Sequence, residues 1–205
     1  MSDRCPTVHA TDGKIGELHS VVLTKDTHIV SRFIIKRGAG RQADYWLLTP
    51  DQVDHVDADG SVHLNIDKAA VKAAPKYSRQ VVHGEFDADT DDKLVWGDIY
   101  GVMTTGTAEY TGDKVYQSGV DVDAMLVGYG TRVYTNLGEQ EGKIECITLS
   151  TDATKPGYLV IKLKGMRGKI VVAEASHVTD WRPDAVVLDM DTEALKALPK
   201  KIPTA

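Results

Sequence analysis

The densest set of potential ligand side chains is the run Asp87-Ala88-Asp89-Thr90-Asp91-Asp92-Lys93-Leu94-Val95-Trp96-Gly97-Asp98. Asp87, Asp89, Asp91 and Asp98 fall at positions 1, 3, 5 and 12 of a calcium-binding loop, with apolar Leu94 at position 8. Calcium takes oxygen ligands converging from one short loop, so this spacing makes the four aspartates a candidate calcium site. Two features oppose it. Asp92 sits at position 6, where the sharp turn favours glycine, and Asp98 reaches less far than the usual glutamate. The flanks, Val81-Val82-His83-Gly84 and Ile99-Tyr100-Gly101, do not read as the paired helices of an EF-hand. A solvated acidic loop is the competing reading.

A second set is made of histidines. His55 and His63 lie on neighbouring strands around one predicted hairpin and can approach each other. With Asp54 or Asp57 they form a group able to bind a metal or to titrate together near neutral pH. The alternative is a pair of ordinary exposed strand histidines. Aromatic side chains are the third candidate. Trp46, Trp96 and Trp181, with the tyrosines Tyr100, Tyr110 and Tyr116 of the central segment, have the chemistry of a partner-binding hot spot. The same rings would equally serve to fill a groove between two small sheets. No Gly-x-Ser-x-Gly, phosphate loop or dinucleotide fingerprint occurs, and Gly38-Ala39-Gly40 lies between two strands with no helix after it. The chain is therefore expected to be non-enzymatic, with no catalytic residues and no cofactor.

The elements that would position these groups come in two copies. Gly16-Glu17-Leu18-His19-Ser20-Val21-Val22-Leu23 returns as Gly142-Lys143-Ile144-Glu145-Cys146-Ile147-Thr148-Leu149. Each glycine is followed by apolar residues at the same places: Leu18, Val21, Leu23 and Ile144, Ile147, Leu149. Alternation slips between Leu18 and Val21 and again between Ile144 and Ile147, which predicts a β-bulge in both strands. Further strands are expected at His28–Lys36, Asp44–Leu48, Val53–Val56 and around Val62, Leu64 and Ile66. Their counterparts are Tyr158–Leu163, Ile170–Val172, His177–Thr179 and the run through Val186, Leu188 and Met190. Asp67 and Asp191 are candidate caps for short helices that Pro75 and Pro199 end. The copies stand 126 residues apart at Gly16/Gly142 and 124 at Asp67/Asp191, a drift assigned to one hairpin turn. Internal duplication follows.

In their order, Gly142-Lys143-Ile144-Glu145, Tyr158-Leu159-Val160-Ile161, Lys169-Ile170-Val171-Val172-Ala173 and the closing Lys-Ala-x-Pro after Val71 or Leu195 resemble the PRC-barrel family. That small β-barrel is found in the cytoplasmic part of the photosynthetic reaction-centre H subunit and in a ribosome-maturation factor. The resemblance implies a mainly β chain with two small barrels, each closed by a short helix. They would span residues 8–77 and 131–201, joined by a partly structured insertion at 78–130 that is acidic and then rich in Tyr and Gly. It also implies a non-catalytic adaptor or scaffold docking on a larger cytoplasmic or membrane-face assembly, for which a photosynthetic or electron-transfer complex is one candidate. Two alternatives stand beside it: a self-assembling structural protein forming rings or filaments, and a calcium-responsive binding protein. The chain departs from the H subunit in having two barrels and no N-terminal membrane helix.

A net charge of -6 opposes general nucleic-acid binding, which needs a basic face. No apolar run approaches the length of a membrane span, and Met1-Ser2-Asp3-Arg4-Cys5-Pro6 lacks the apolar core of a signal peptide, so a cytoplasmic location is expected, with a secreted chain whose signal has been removed as the alternative. A protein partner or self-association is the expected mode of action, with peripheral docking at a membrane face and a homo-oligomer left open. Residues 1 to 7 read as a loose arm. Cys5 and Cys146 are far apart in sequence, and Cys146 is expected to be a reduced cysteine packed as a small apolar residue.

Overall fold

The computed structural model describes residues 5–82, 94–97, 103–108, 110–111, 114–117, 120, 124–165 and 169–203. The first copy contains β1 (Thr7–Ala10), β2 (Gly13–Leu23), β3 (Val30–Arg37), β4 (Asp44–Leu48), β5 (Val53–Val56), β6 (Val62–Leu64) and helix α1 (Lys68–Ala73). Next come β7 (Arg79–Val82), β8 (Leu94–Gly97), β9 (Met103–Ala108), β10 (Tyr110–Thr111) and β11 (Lys114–Gln117), then β12 (Met125–Gly128). The second copy holds β13 (Arg132–Tyr134), β14 (Gln140–Leu149), β15 (Pro156–Leu163), β16 (Ile170–Glu174), β17 (Val178–Arg182), β18 (Ala185–Leu188) and helix α2 (Thr192–Ala197). The strand order β4-β3-β2-β1-β6-β5 recurs as β16-β15-β14-β13-β18-β17. In both, the first and last strands of the copy pair in parallel, β1 with β6 and β13 with β18. The fold is thus mainly β, with two barrel-like sheets, each followed by a short helix. Residues 77–119 form a compact unit of their own, with sheets β10-β8-β9 and β11-β7. The segment predicted as a connection therefore divides, because β12 leaves that unit and pairs with β2 of the first sheet.

The slip in apolar phase is a register shift. Leu18 pairs with Ile35 and Ser20 with Ile34, leaving His19 as the extra residue of β2. Ile144 pairs with Ile161 and Cys146 with Val160, leaving Glu145 as its counterpart in β14. A bulge of this kind bends the strand and lets a small sheet curl. The glycines that open the pattern have a separate cause. A Cβ on Gly16 would lie 2.4 Å from the Lys36 carbonyl oxygen, and one on Gly142 would lie 2.5 Å from that of Lys162. Strand β3 or β15 passes so close that only glycine leaves room. The drift between copies is spread over the fold instead of sitting in one turn. Ile35 and Ile161 are 126 apart; Trp46 and Val171, which pair with them, are 125 apart; Val62 and Val186 are 124 apart.

Six residues are too few for a stable isolated helix. Each helix is held at both ends. The Asp67 carboxylate accepts from the Ala70 N–H at 2.7 Å, and the Asp191 carboxylate from the Ala194 N–H at 2.8 Å. Val71 and Leu195 are fully buried and plug the sheets, each contributing about 2 kcal/mol of apolar burial. Ala74 and Leu198 precede prolines, which favours extended backbone, and both adopt ψ near 155° (156° and 154°). The chain therefore runs on along the sheet edge. The Leu47 N–H donates to the Pro75 carbonyl at 2.9 Å, and the Val172 N–H to that of Pro199 at 2.8 Å. Strands β4 and β16, which end their sheets, are covered in this way.

The two copies share one core. Strands β2 and β14 pack against each other, and the buried apolar cluster runs without a break from Val8, Leu18 and Phe33 to Ile147, Leu159 and Leu195. The Val30 N–H donates to the Thr154 carbonyl at 2.8 Å. The equivalent donor in the second copy is Pro156, which has no N–H, so the pseudo-symmetry breaks there. Each copy also receives the entering segment of the other. Strand β12 lies on β2 of the first sheet before the chain enters the second. Cys5, before the chain enters the first sheet, is bonded to Cys146 on β14 of the second, with Cα atoms 5.4 Å apart. The expectation of a reduced Cys146 is thus corrected, and the expected loose arm is tied down at Cys5: the bulge turns Cys146 to a face that Cys5 and Ile202 cover together. Among the described residues no helix is long and apolar enough to cross a membrane.

Candidate functional site

The β2 bulge builds the first candidate surface. The half-buried His19 ring has its Nδ1 2.8 Å from the Ser20 hydroxyl. Tyr45 of β4 meets it edge-on at 5.1 Å, and Tyr129, just after β12, lies tilted over it at 5.8 Å. The Tyr129 N–H donates to the His19 carbonyl at 3.1 Å, which fixes the backbone beneath the exposed ring. Tyr129 is 66% exposed, one of three large apolar or aromatic side chains that stand out from the described surface. Burial pushes the His19 imidazole down to about 4, and the nearby Lys36 charge acts in the same direction. The imidazole is therefore neutral at physiological pH, and the patch is aromatic and uncharged at its centre.

Predicted site residues are distributed as follows. Trp46 lies inside the first sheet at 3% exposure, so it is a core residue and offers no ring to a partner; among the described residues its buried Nε1–H has no hydrogen-bond partner. Trp181 of β17 is half-buried against the shared core, with its ring 6.4 Å from that of His28 in the other copy. It fills the seam between the copies. Trp96, Tyr110 and Tyr116 fall on β8, β10 and β11 of the separate unit, where only the backbone is described. Tyr100 and the calcium candidates Asp87, Asp89, Asp91 and Asp98 lie outside the described residues. The surface tyrosine that sequence reasoning passed over as a site is Tyr129. Its signal was a position just before the second copy, legible only once β12 is seen on β2.

Three histidines gather on neighbouring strands of the first sheet. His9, His63 and His55 sit side by side on β1, β6 and β5, paired His9↔His63 and His55↔His63. Their rings stack at 5.0 Å (His9–His63) and 4.3 Å (His55–His63). Asp57 Oδ2 is 2.8 Å from His63 Nε2, and its Oδ1 is 3.7 Å from His55 Nε2. Asp54 Oδ2 is 2.8 Å from His55 Nδ1. His9 Nε2 meets the Thr7 hydroxyl at 2.9 Å.

No model of a known protein family matches the chain, and no curated protein does.

Proposed function

We propose that the protein is a non-catalytic adaptor of the PRC-barrel kind, which docks on a protein partner within a larger assembly, at a membrane face or in solution. The observation that carries this reading is the patch of Tyr129 over neutral His19 and Tyr45, mounted on a bulged strand of a two-sheet core. Tyrosine rings on a rigid base offer contact area at low entropic cost, and aromatic anchors dominate binding energy at protein interfaces. The alternative of stacking through free strand edges loses β4 and β16, which the segments after the helices cover.

The compartment is a separate part of the proposal. A cytoplasmic site is the expectation from sequence, but disulfides persist mainly in oxidising compartments, and the Cys5–Cys146 bond favours one. Rapid thiol trapping in intact cells decides between the two.

The docking reading is tested by immobilising the full chain and its Tyr129→Ser variant, and comparing captured proteins by quantitative mass spectrometry. A defined partner retained by the parent and depleted about thirtyfold on the variant, at equal thermal stability, is expected for a hot-spot ring. Equal capture by both, or nothing above an unrelated control protein at any salt concentration, overturns it.

A further inference from the structure

We propose that His55, His63 and Asp57 form a binding site for a single divalent transition-metal ion of the zinc and copper class, with Asp54 as a positioning residue for His55. The three ligand side chains place one donor atom each within 4.8 Å of one another, the one such group among the described residues. A tetrahedral zinc site with ligand bonds of 2.0–2.1 Å has donors about 3.3 Å apart. The Asp57 carboxylate already lies 2.8 Å from one imidazole nitrogen and 3.7 Å from the other; the two rings stack nearly parallel at 4.3 Å, so one exposed imidazole turns out of the stack to bring both lone pairs onto one ion.

The carboxylate behind His55 points the same way. Asp54 Oδ2 lies 2.8 Å from His55 Nδ1, which orients the ring and leaves Nε2, 3.7 Å from Asp57, as the nitrogen that faces the candidate site. A carboxylate holding the far nitrogen of a ligating histidine is the usual partner arrangement at metal sites. Two imidazoles and one carboxylate suit zinc, copper, nickel or iron; calcium and magnesium prefer all-oxygen shells. The three side chains are 33–52% exposed, so a bound ion keeps positions open to water or to a ligand from outside.

The sheet itself does not require this row. In the second copy the same three register positions hold Tyr134, Val187 and Asp180, and that sheet forms with identical strand order. The histidines are an addition of the first copy to a shared scaffold. His9 belongs to the row but turns its Nε2 to Thr7, and it serves as a stacking neighbour.

The test is calorimetric titration of the tag-free, oxidised full chain with Zn²⁺ and separately with Ca²⁺. Both described cysteines are in the disulfide, so no thiolate competes for zinc. The expected result is one zinc equivalent bound at micromolar concentration by this site, weakened at least tenfold by His55→Ala or His63→Ala. Asp54→Asn weakens it about tenfold by loosening His55. His9→Ala changes it less than twofold, and calcium shows no competition at the site. Co²⁺ substitution adds a visible ligand-field spectrum that His63→Ala abolishes. Unchanged circular dichroism melts show that the variants remain folded. Zinc binding that His55→Ala and His63→Ala leave intact, or no zinc heat in the parent, overturns the proposal.

Discussion

Removing the Cys5–Cys146 bond has an effect whose size follows from chain connectivity. The bonded residues are 141 apart in sequence, so the bond closes most of the chain into a loop. In the chain-entropy treatment, a loop of that length removes about 17 cal/mol/K from the unfolded ensemble, or ~5 kcal/mol at 25 °C. Measured values fall below this treatment, and ~2–4 kcal/mol is the working expectation. The suitable variant is Cys5→Ala, because Cys5 is half-buried, whereas Cys146 is fully buried and a polar replacement there would add its own cost. For a chain of this size each kcal/mol moves the melting temperature by about 2–4 °C, so a drop of ~10 °C is expected. Adding a reductant to the parent should reproduce most of that drop and leave Cys5→Ala unmoved. The assay is thermal unfolding followed by circular dichroism, with a thiol count on the denatured, unreduced chain beside it. Two free thiols in that count, or a Cys5→Ala melt within 1 °C of the oxidised parent, would refute the reasoning.

Three further outcomes are expected. His19 has a folded pKa near 4, below its unfolded value of 6.5, so the unfolded chain takes up the proton first. Its contribution is complete above pH 6.5 and is lost as pH falls toward 4, by at most about 3 kcal/mol. Urea midpoints of the parent and His19→Gln across that window check this, and parallel pH slopes would count against it. Gly16→Ala and Gly142→Ala each drive a Cβ into a backbone carbonyl at 2.4 or 2.5 Å, and each should cost about 2 kcal/mol or more in denaturant unfolding. Asp191→Ala removes the cap of α2 and should cost about 1 kcal/mol, with Asp67→Ala similar at α1, measured the same way.

Local chemistry was the legible part of this sequence. The paired phase slips located both bulges to within a residue of His19 and Glu145, because a bulge changes which residues face inward. The Asp caps and terminating prolines marked both helices, since those signals act within a single turn. Long-range pairing was not legible. Strands β1, β12 and β13 have three or four residues each, too short for alternation to stand out, and β1 and β13 take parallel partners far along the chain. The disulfide was missed for the same reason: nothing local to Cys5 points to Cys146. At the candidate sites, the approach of His55 and His63 could be read from one hairpin. The addition of His9 through β1, and the seating of Tyr129 on His19 through β12, required the tertiary fold.

The exchange of entering segments between the two sheets bears on how this chain could have diverged. Strand β2 faces β14, its own equivalent, as in an isologous contact between two copies of one ancestral half. The arm before the first sheet is welded to the second, and the strand before the second is laid on the first. The halves are held together by a shared core, a ladder and a covalent bond, none of which depends on the peptide link running between them through residues 77–119. That link is mechanically redundant. A stretch relieved of holding its neighbours together can accept insertion, a proteolytic nick or wholesale replacement without parting the halves. Such a position is where a duplicated scaffold can acquire a module that neither parental copy possessed.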